Sequence, residues 1–206
     1  MTVWQDRGIV IAKKPHGEKY RLITIFTYEH GKVCSMASNK KREQYSIFSK
    51  VEVEHTSNSN ESLGFWSLKH EKQSWVIAAE SEAQIILCQS ICFLINKLMP
   101  QGVPHKRIFD LTNHIAEEVN KFTEQEILQL YAYFEITVLC DIGLGIENDL
   151  LNIVVKSRDL KHLKETLNTE PLKSDSKKLL SLSGNLISEH LINIDNYFRS
   201  IIIQNI

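Results

Sequence analysis

Two hydrophobic periodicities divide the chain. Up to about residue 78, apolar residues come in short runs rich in β-branched and aromatic side chains, punctuated by glycine, proline and polar clusters. Such runs predict strands, here over residues 3–12, 20–28, 32–38, 45–55 and 63–71. The stretch 45–55 alternates, with Ile47, Val51 and Val53 on one face and Phe48, Lys50, Glu52 and Glu54 on the other. Lys14-Pro15-His16-Gly17 fits a type I turn between the first two strands, since proline presets φ at the second position. Glu29-His30-Gly31 fits a three-residue hairpin loop, and residues 56–62 are loop-like in composition. Five short, evenly spaced strands predict a small barrel or sandwich.

The period changes at Ser81. Ser81 with Gln84 forms a capping-box pattern that opens an apolar helix through residues 85–98. Pro104 opens a second helix over 104–122, and Thr123 with Glu126 is another capping box ahead of 124–142. In that third helix Ile127, Leu130, Tyr131, Phe134 and Val138 share a face, and Gly143 and Gly145 end it. Two more helices are expected at about 147–168 and 175–200, split by Pro171. The chain therefore reads as α+β and multi-domain, with a β domain over 1–79 and an all-helical domain over 80–206. It has no internal repeat.

Charge adds an asymmetry that the hydrophobic pattern does not show. The 206 residues carry a net charge of −1, yet residues 1–50 hold 10 Lys/Arg against 4 Asp/Glu, a balance of +6. Residues 81–206 hold 12 against 16, a balance of −4. Cys34, Cys88, Cys92 and Cys140 form no disulfide framework, and no signal peptide opens the chain, so a reducing cytoplasmic compartment is expected. The apolar stretch 85–98 is shorter than the ~20 residues that span a bilayer, which predicts a buried helix and no membrane partner.

The basic excess gathers at two turns. Lys13, Lys14, Lys19 and Arg21 flank the first, while Lys40, Lys41 and Arg42 occupy the loop after the third strand. Single-strand binding requires cations along the phosphates and rings for the bases, and Tyr20, Phe26, Tyr28, Tyr45 and Phe48 supply rings. The alternative is a solvated basic rim on an ordinary hairpin. Cys88 and Cys92 share a helix face, but no further ligands accompany them, so they read as small hydrophobes and no metal is expected. The eight histidines are scattered, and nucleotide, phosphate-loop and nucleophile-elbow signatures are missing, so neither an enzyme nor a cofactor is expected. Tyr133 points about 100° away from Phe134 on the third helix. It is expected either half-exposed in a partner groove or packed against a neighbouring helix.

Four stretches taken in order resemble the RecO family of bacterial DNA repair proteins. They are W-x-D-x-G-I-V-I at 4–11, P-H-G-E at 15–18, I-T-I-F-T-Y-E-H-G-K at 23–32 and L-Y-A-Y-F-E-I-T-V-L-C-D-I-G-L-G at 130–145. The resemblance implies a five-stranded oligonucleotide-binding (OB-fold) β-barrel followed by a helical domain. It implies a recombination mediator associated with the nucleoid, which binds single- and double-stranded DNA, anneals complementary strands and helps load RecA. The implied partners are RecR and the C-terminal tail of single-strand-binding protein. On this reading Lys13, Lys14, Lys19, Arg21, Lys40, Lys41 and Arg42 meet phosphates, with Tyr20 and Tyr45 as stacking groups. After residue 146 the chain departs from the family pattern, with no cysteine beyond Cys140, so no zinc is expected and the family's tail-binding surface is in question. The rival reading is a non-enzymatic adaptor whose helical domain is the working surface.

Overall fold

The computed structural model describes residues 1–39, 45–59, 63–70 and 81–143. The helices expected near 147–168 and 175–200, together with Gly145, Lys40, Lys41 and Arg42, lie outside the described residues.

Five strands close into a barrel in the order β1-β2-β3-β5-β4: β1 (Thr2–His16), β2 (Tyr20–Thr27), β3 (Gly31–Ser38), β4 (Lys50–Ser57) and β5 (Phe65–His70). β1 pairs antiparallel with both β2 and β4, and β3 meets β5 in parallel at Met36 and Phe65. This is the OB-fold arrangement. Among the described residues three helices follow: α1 (Glu82–Leu98), α2 (Lys106–Glu118) and α3 (Glu124–Asp141), with a 3₁₀ turn, Val119–Lys121, between the last two. The expected α+β order is therefore observed.

Alternation explains the barrel interior. Val10, Ile23, Ile25, Ala37, Val51, Val53 and Trp66 form one buried cluster, each from the inward positions of its strand. β1 breaks the alternation, because Gly8, Ile9, Val10 and Ile11 are all buried in succession. The register shifts between Val10 and Ala12, and the bulge there resets which side chains point inward. Outside the barrel, Phe26 packs on Phe109 of α2 with ring centroids 5.9 Å apart.

Two local expectations are corrected. The first turn is not at Lys14–Gly17. β1 continues through Pro15, which pairs with Arg21, and the turn is Gly17-Glu18-Lys19 with Gly17 at φ +65°. Proline is tolerated because β1 pairs with β4 only as far as Ile9, so at Pro15 it has a strand neighbour on one side alone. The alternating run 45–55 is also not one strand, since β4 starts at Lys50. Ser49 N–H donates to the Ser46 carbonyl, and Phe48 adopts φ +70° with its amide on the Val10 carbonyl. Phe48 is consequently fully buried and Ile47 exposed, the reverse of what alternation predicted.

The chain divides into two compact units, Met1–Ala78 with Cys92–Glu117 and Ala79–Ile91 with Glu118–Ile206. In the first, the α1 end and α2 stand against the barrel. Gly31, at φ +66°, lies so close to the Val103 backbone that a Cβ would overlap it, and Gly102 N–H donates to the Lys32 carbonyl at 3.0 Å. In the second, both capping boxes form. Ser81 and Gln84 exchange hydrogen bonds at 3.3 Å, and Thr123 and Glu126 do likewise at the start of α3. Every residue from 129 to 139 is buried, so α3 has no polar face there. Tyr133 is 2% exposed, which removes the half-exposed groove position expected as one option.

Candidate nucleic-acid interface

The seven described cations of residues 1–50 separate by what they touch. Arg7, on β1, lies 4.1 Å over the Tyr28 ring and 3.7 Å from the Asp110 carboxylate of α2. Lys50 donates to Glu117 at 2.6 Å, and this contact holds the Glu117 carboxyl below its usual range. The buried Lys32 donates to the Asn96 carbonyl at 2.6 Å, and burial holds its ammonium below the usual lysine range. These three positive charges join the barrel to α1 and α2 and are committed to the fold.

Lys13, Lys14, Lys19 and Arg21 behave differently. All four are exposed on the β1–β2 hairpin, and among the described residues none is bonded to a carboxylate. Lys13 donates to the Tyr45 carbonyl at 2.7 Å. Partial burial, and then the charge of Arg21, keep its ammonium below the usual lysine range. Lys13 pairs with the inward-facing Ile23 and Arg21 with the inward-facing Ala37, so both follow the inner side of the rim. Lys14 pairs with Leu22 and His16 with Tyr20 on the outer side. The cations therefore straddle the hairpin instead of sharing one face. The turn is anchored by Asn39, whose backbone N–H donates to the Lys19 carbonyl at 2.9 Å and whose side chain donates to that of Glu18 at 3.0 Å. Asn39 is the last described residue before Lys40, Lys41 and Arg42.

The five candidate rings also separate. Phe26 and Phe48 are fully buried, and Tyr28 is enclosed by Arg7 and, at 4.6 Å, Lys106. Tyr45 is half-buried against the barrel core, its hydroxyl donating to the Leu68 carbonyl at 2.8 Å, and desolvation raises its pKa. Tyr20 is 38% exposed and lies edge-on to Phe65 at 5.8 Å. Phe65, 46% exposed, was missed by sequence reasoning. Its signal was present in the alternation of β5, since an inward Trp66 turns its neighbour outward.

At the barrel's other mouth Trp4 stacks on His30 at 3.8 Å and on His55 at 4.8 Å. His30 Nδ1 lies 3.0 Å from the Asp6 carboxylate. Ser35 donates its hydroxyl proton to the Leu63 carbonyl at 2.5 Å, so at 2.8 Å His55 Nε2 must be the donor to Ser35. Burial holds His55 below the usual histidine pKa, consistent with a neutral ring. Among the described residues no group of three His, Cys, Asp or Glu could hold a metal, and no helix is long and apolar enough to cross a membrane. Cys88 and Cys92 are buried, and burial pushes the Cys92 thiol far up.

Residues 1–67 match the family model described as recombination protein O N terminal. The DNA repair protein RecO of Wolbachia sp. subsp. Drosophila simulans is 23% identical over 146 residues, 70% of this chain and 60% of the relative. That of Rhodospirillum centenum is 26% identical over 148 residues, 70% of this chain and 58% of the relative. That of Bradyrhizobium diazoefficiens is 22% identical over 161 residues, 76% of this chain and 63% of the relative. The match thus spans about three fifths of the length of these curated relatives. The family match over residues 1–67 and the alignments over about 70% of the chain make this chain similar to RecO proteins.

Proposed function

We propose that this chain is a non-enzymatic mediator of DNA repair and homologous recombination, acting in the cytoplasm at the nucleoid. It binds single- and double-stranded DNA through the β1–β2 hairpin, anneals complementary strands, and assists RecA loading with RecR and single-strand-binding protein. The observation that carries the reading is the sorting of the cations. Arg7, Lys32 and Lys50 are engaged by the fold, while Lys13, Lys14, Lys19 and Arg21 project without a carboxylate partner among the described residues. Lys40, Lys41 and Arg42, which follow Asn39 in the sequence, are proposed as further phosphate contacts. Tyr20 and Tyr45 are the proposed ring contacts. No bond is made or broken. Cations that replace the counterions of two phosphate backbones lower the repulsion between strands and let them meet, at a rate that falls with salt.

The test follows annealing of complementary labelled oligonucleotides across a salt series. The protein is expected to accelerate annealing at low salt, and Lys40→Glu, Lys41→Glu and Arg42→Glu together are expected to abolish the acceleration. Annealing no faster than spontaneous, with single-strand binding indifferent to salt, would defeat the reading. Full repair in cells by a variant that cannot bind DNA would move the working surface to the helical half.

A further inference from the structure

Among the described residues only two aromatic side chains rank with the exposed large hydrophobics, Tyr20 at 38% and Phe65 at 46%. They are also neighbours, with centroids 5.8 Å apart and ring planes at 65°. The register explains the meeting. Tyr20 pairs with Ser38, Leu22 with Met36, and Met36 with Phe65, so these side chains stand together on the outer surface of β2, β3 and β5. Leu22 and Met36, between them in the register, are half-buried. Two adjacent exposed aromatics leave apolar area in water that a bound partner would remove.

The surroundings identify the partner. Lys14 and His16 share this outer side of the hairpin, and Lys19 and Arg21 flank Tyr20 in sequence, with no carboxylate bonded to these cations among the described residues. An apolar protein segment gains nothing from unpaired positive charge at the edge of its seat. A chain carrying flat rings and a phosphate on every unit uses both features. Bases within a duplex already stack on one another, so only unpaired bases can reach the rings. Resting on the DNA-binding reading above, we propose that Tyr20 and Phe65 form a stacking platform for unpaired bases, which makes this face of the barrel select single strands over duplex. The hairpin cations hold the backbone beside it and serve both forms of DNA. Phe65 is the residue that gives the site its preference.

The test uses the full chain, fluorescence anisotropy, and three labelled ligands of equal length: a single strand, a duplex, and a single strand with abasic sugars at successive positions. Phe65→Ala and Tyr20→Ala are each expected to weaken single-strand binding about 5- to 150-fold, the range for loss of one stacked base. Duplex binding is expected to remain unchanged in Phe65→Ala. The parent should discriminate against the abasic strand and Phe65→Ala should not, while Phe65→Trp retains the preference and Phe65→Leu loses it. Thermal melts matching the parent show that the exposed substitutions leave the fold intact. Unchanged single-strand affinity in Phe65→Ala, alongside lost binding in Lys14→Glu and Arg21→Glu, overturns the platform and leaves the DNA reading standing. Equal weakening on duplex and single strand also overturns it. If the unmodified chain binds none of the three ligands, the underlying reading falls and the platform with it.

Discussion

The Lys32 ammonium donates to the Asn96 carbonyl oxygen at 2.6 Å, so a side chain at the start of β3 closes the last turn of α1. Helix ends leave carbonyls without an intrahelical donor, and a cation there also meets the negative end of the helix dipole. Lys32→Met keeps most of the buried stem and leaves Asn96 without this donor. Losing a charged hydrogen bond in a buried setting costs about 1.5–3 kcal/mol. The expected result is a lower urea midpoint with an unchanged slope. A midpoint equal to the parent's would show that the contact contributes nothing net.

Gly31 and Gly17 share nearly the same backbone, at φ +66° and +65°, but not the same surroundings. At Gly17 a Cβ meets open space, whereas at Gly31 it overlaps the Val103 backbone. Gly17→Ala therefore costs only the left-handed penalty of an L-residue, about 1–2 kcal/mol. Gly31→Ala adds a backbone clash and must push the 101–103 segment off β3. Denaturation of the two variants side by side checks this, with Gly31→Ala expected to lose several times more stability.

Much of this architecture was legible in the sequence because it is local. Capping boxes at Ser81 and Thr123 act within four residues, and both appear where their spacing places them. Strand positions followed from alternation and turn residues, with ends wrong where longer-range contacts decide. Phe48 is buried at φ +70° because Val10, far away in the chain, supplies the acceptor for its amide. Pro15 remains in a strand because β4 stops pairing at Ile9. The site was legible as charge and illegible as selection. Arg7, Lys32 and Lys50 carry the same charge as Lys14 and Lys19, and only the positions of Asp110, Asn96 and Glu117 separate fold cations from free ones.

His55 gives the fold a pH dependence of known sign. Burial, and to a lesser extent the charge of His30, lower its folded pKa below 6.5, partly offset by the contact with Leu63. A lowered folded value means the unfolded chain takes up the proton first. The contribution is therefore complete above about 6.5 and is lost as pH falls through the lowered folded value. Thermal melts between pH 5 and 8 are expected to show this acid limb in the parent, with a smaller slope in His55→Gln. Glutamine can still donate to Ser35 but does not titrate. Parallel acid limbs would assign the dependence to other groups.

Salt dependence separates the two classes of cation by a quantity that stability does not enter. On single strands the logarithm of affinity falls against the logarithm of salt with a slope of about −0.7 per phosphate neutralised. If the proposed interface is right, Lys14→Gln, Lys19→Gln and Arg21→Gln each remove one phosphate contact and flatten that slope by about 0.7. Arg7→Gln and Lys50→Gln remove the same formal charge but from pairs with Asp110 and Glu117. Those pairs are partly exposed, so their loss costs no more than about 1 kcal/mol of stability and leaves the slope unchanged. Binding measured at a fixed salt concentration would confuse the classes, since any lost charge weakens long-range attraction. The slope counts released ions and does not. Equal flattening by all five substitutions would mean that the fold's own ion pairs also open onto DNA, and the sorting of the cations would then lose its functional meaning.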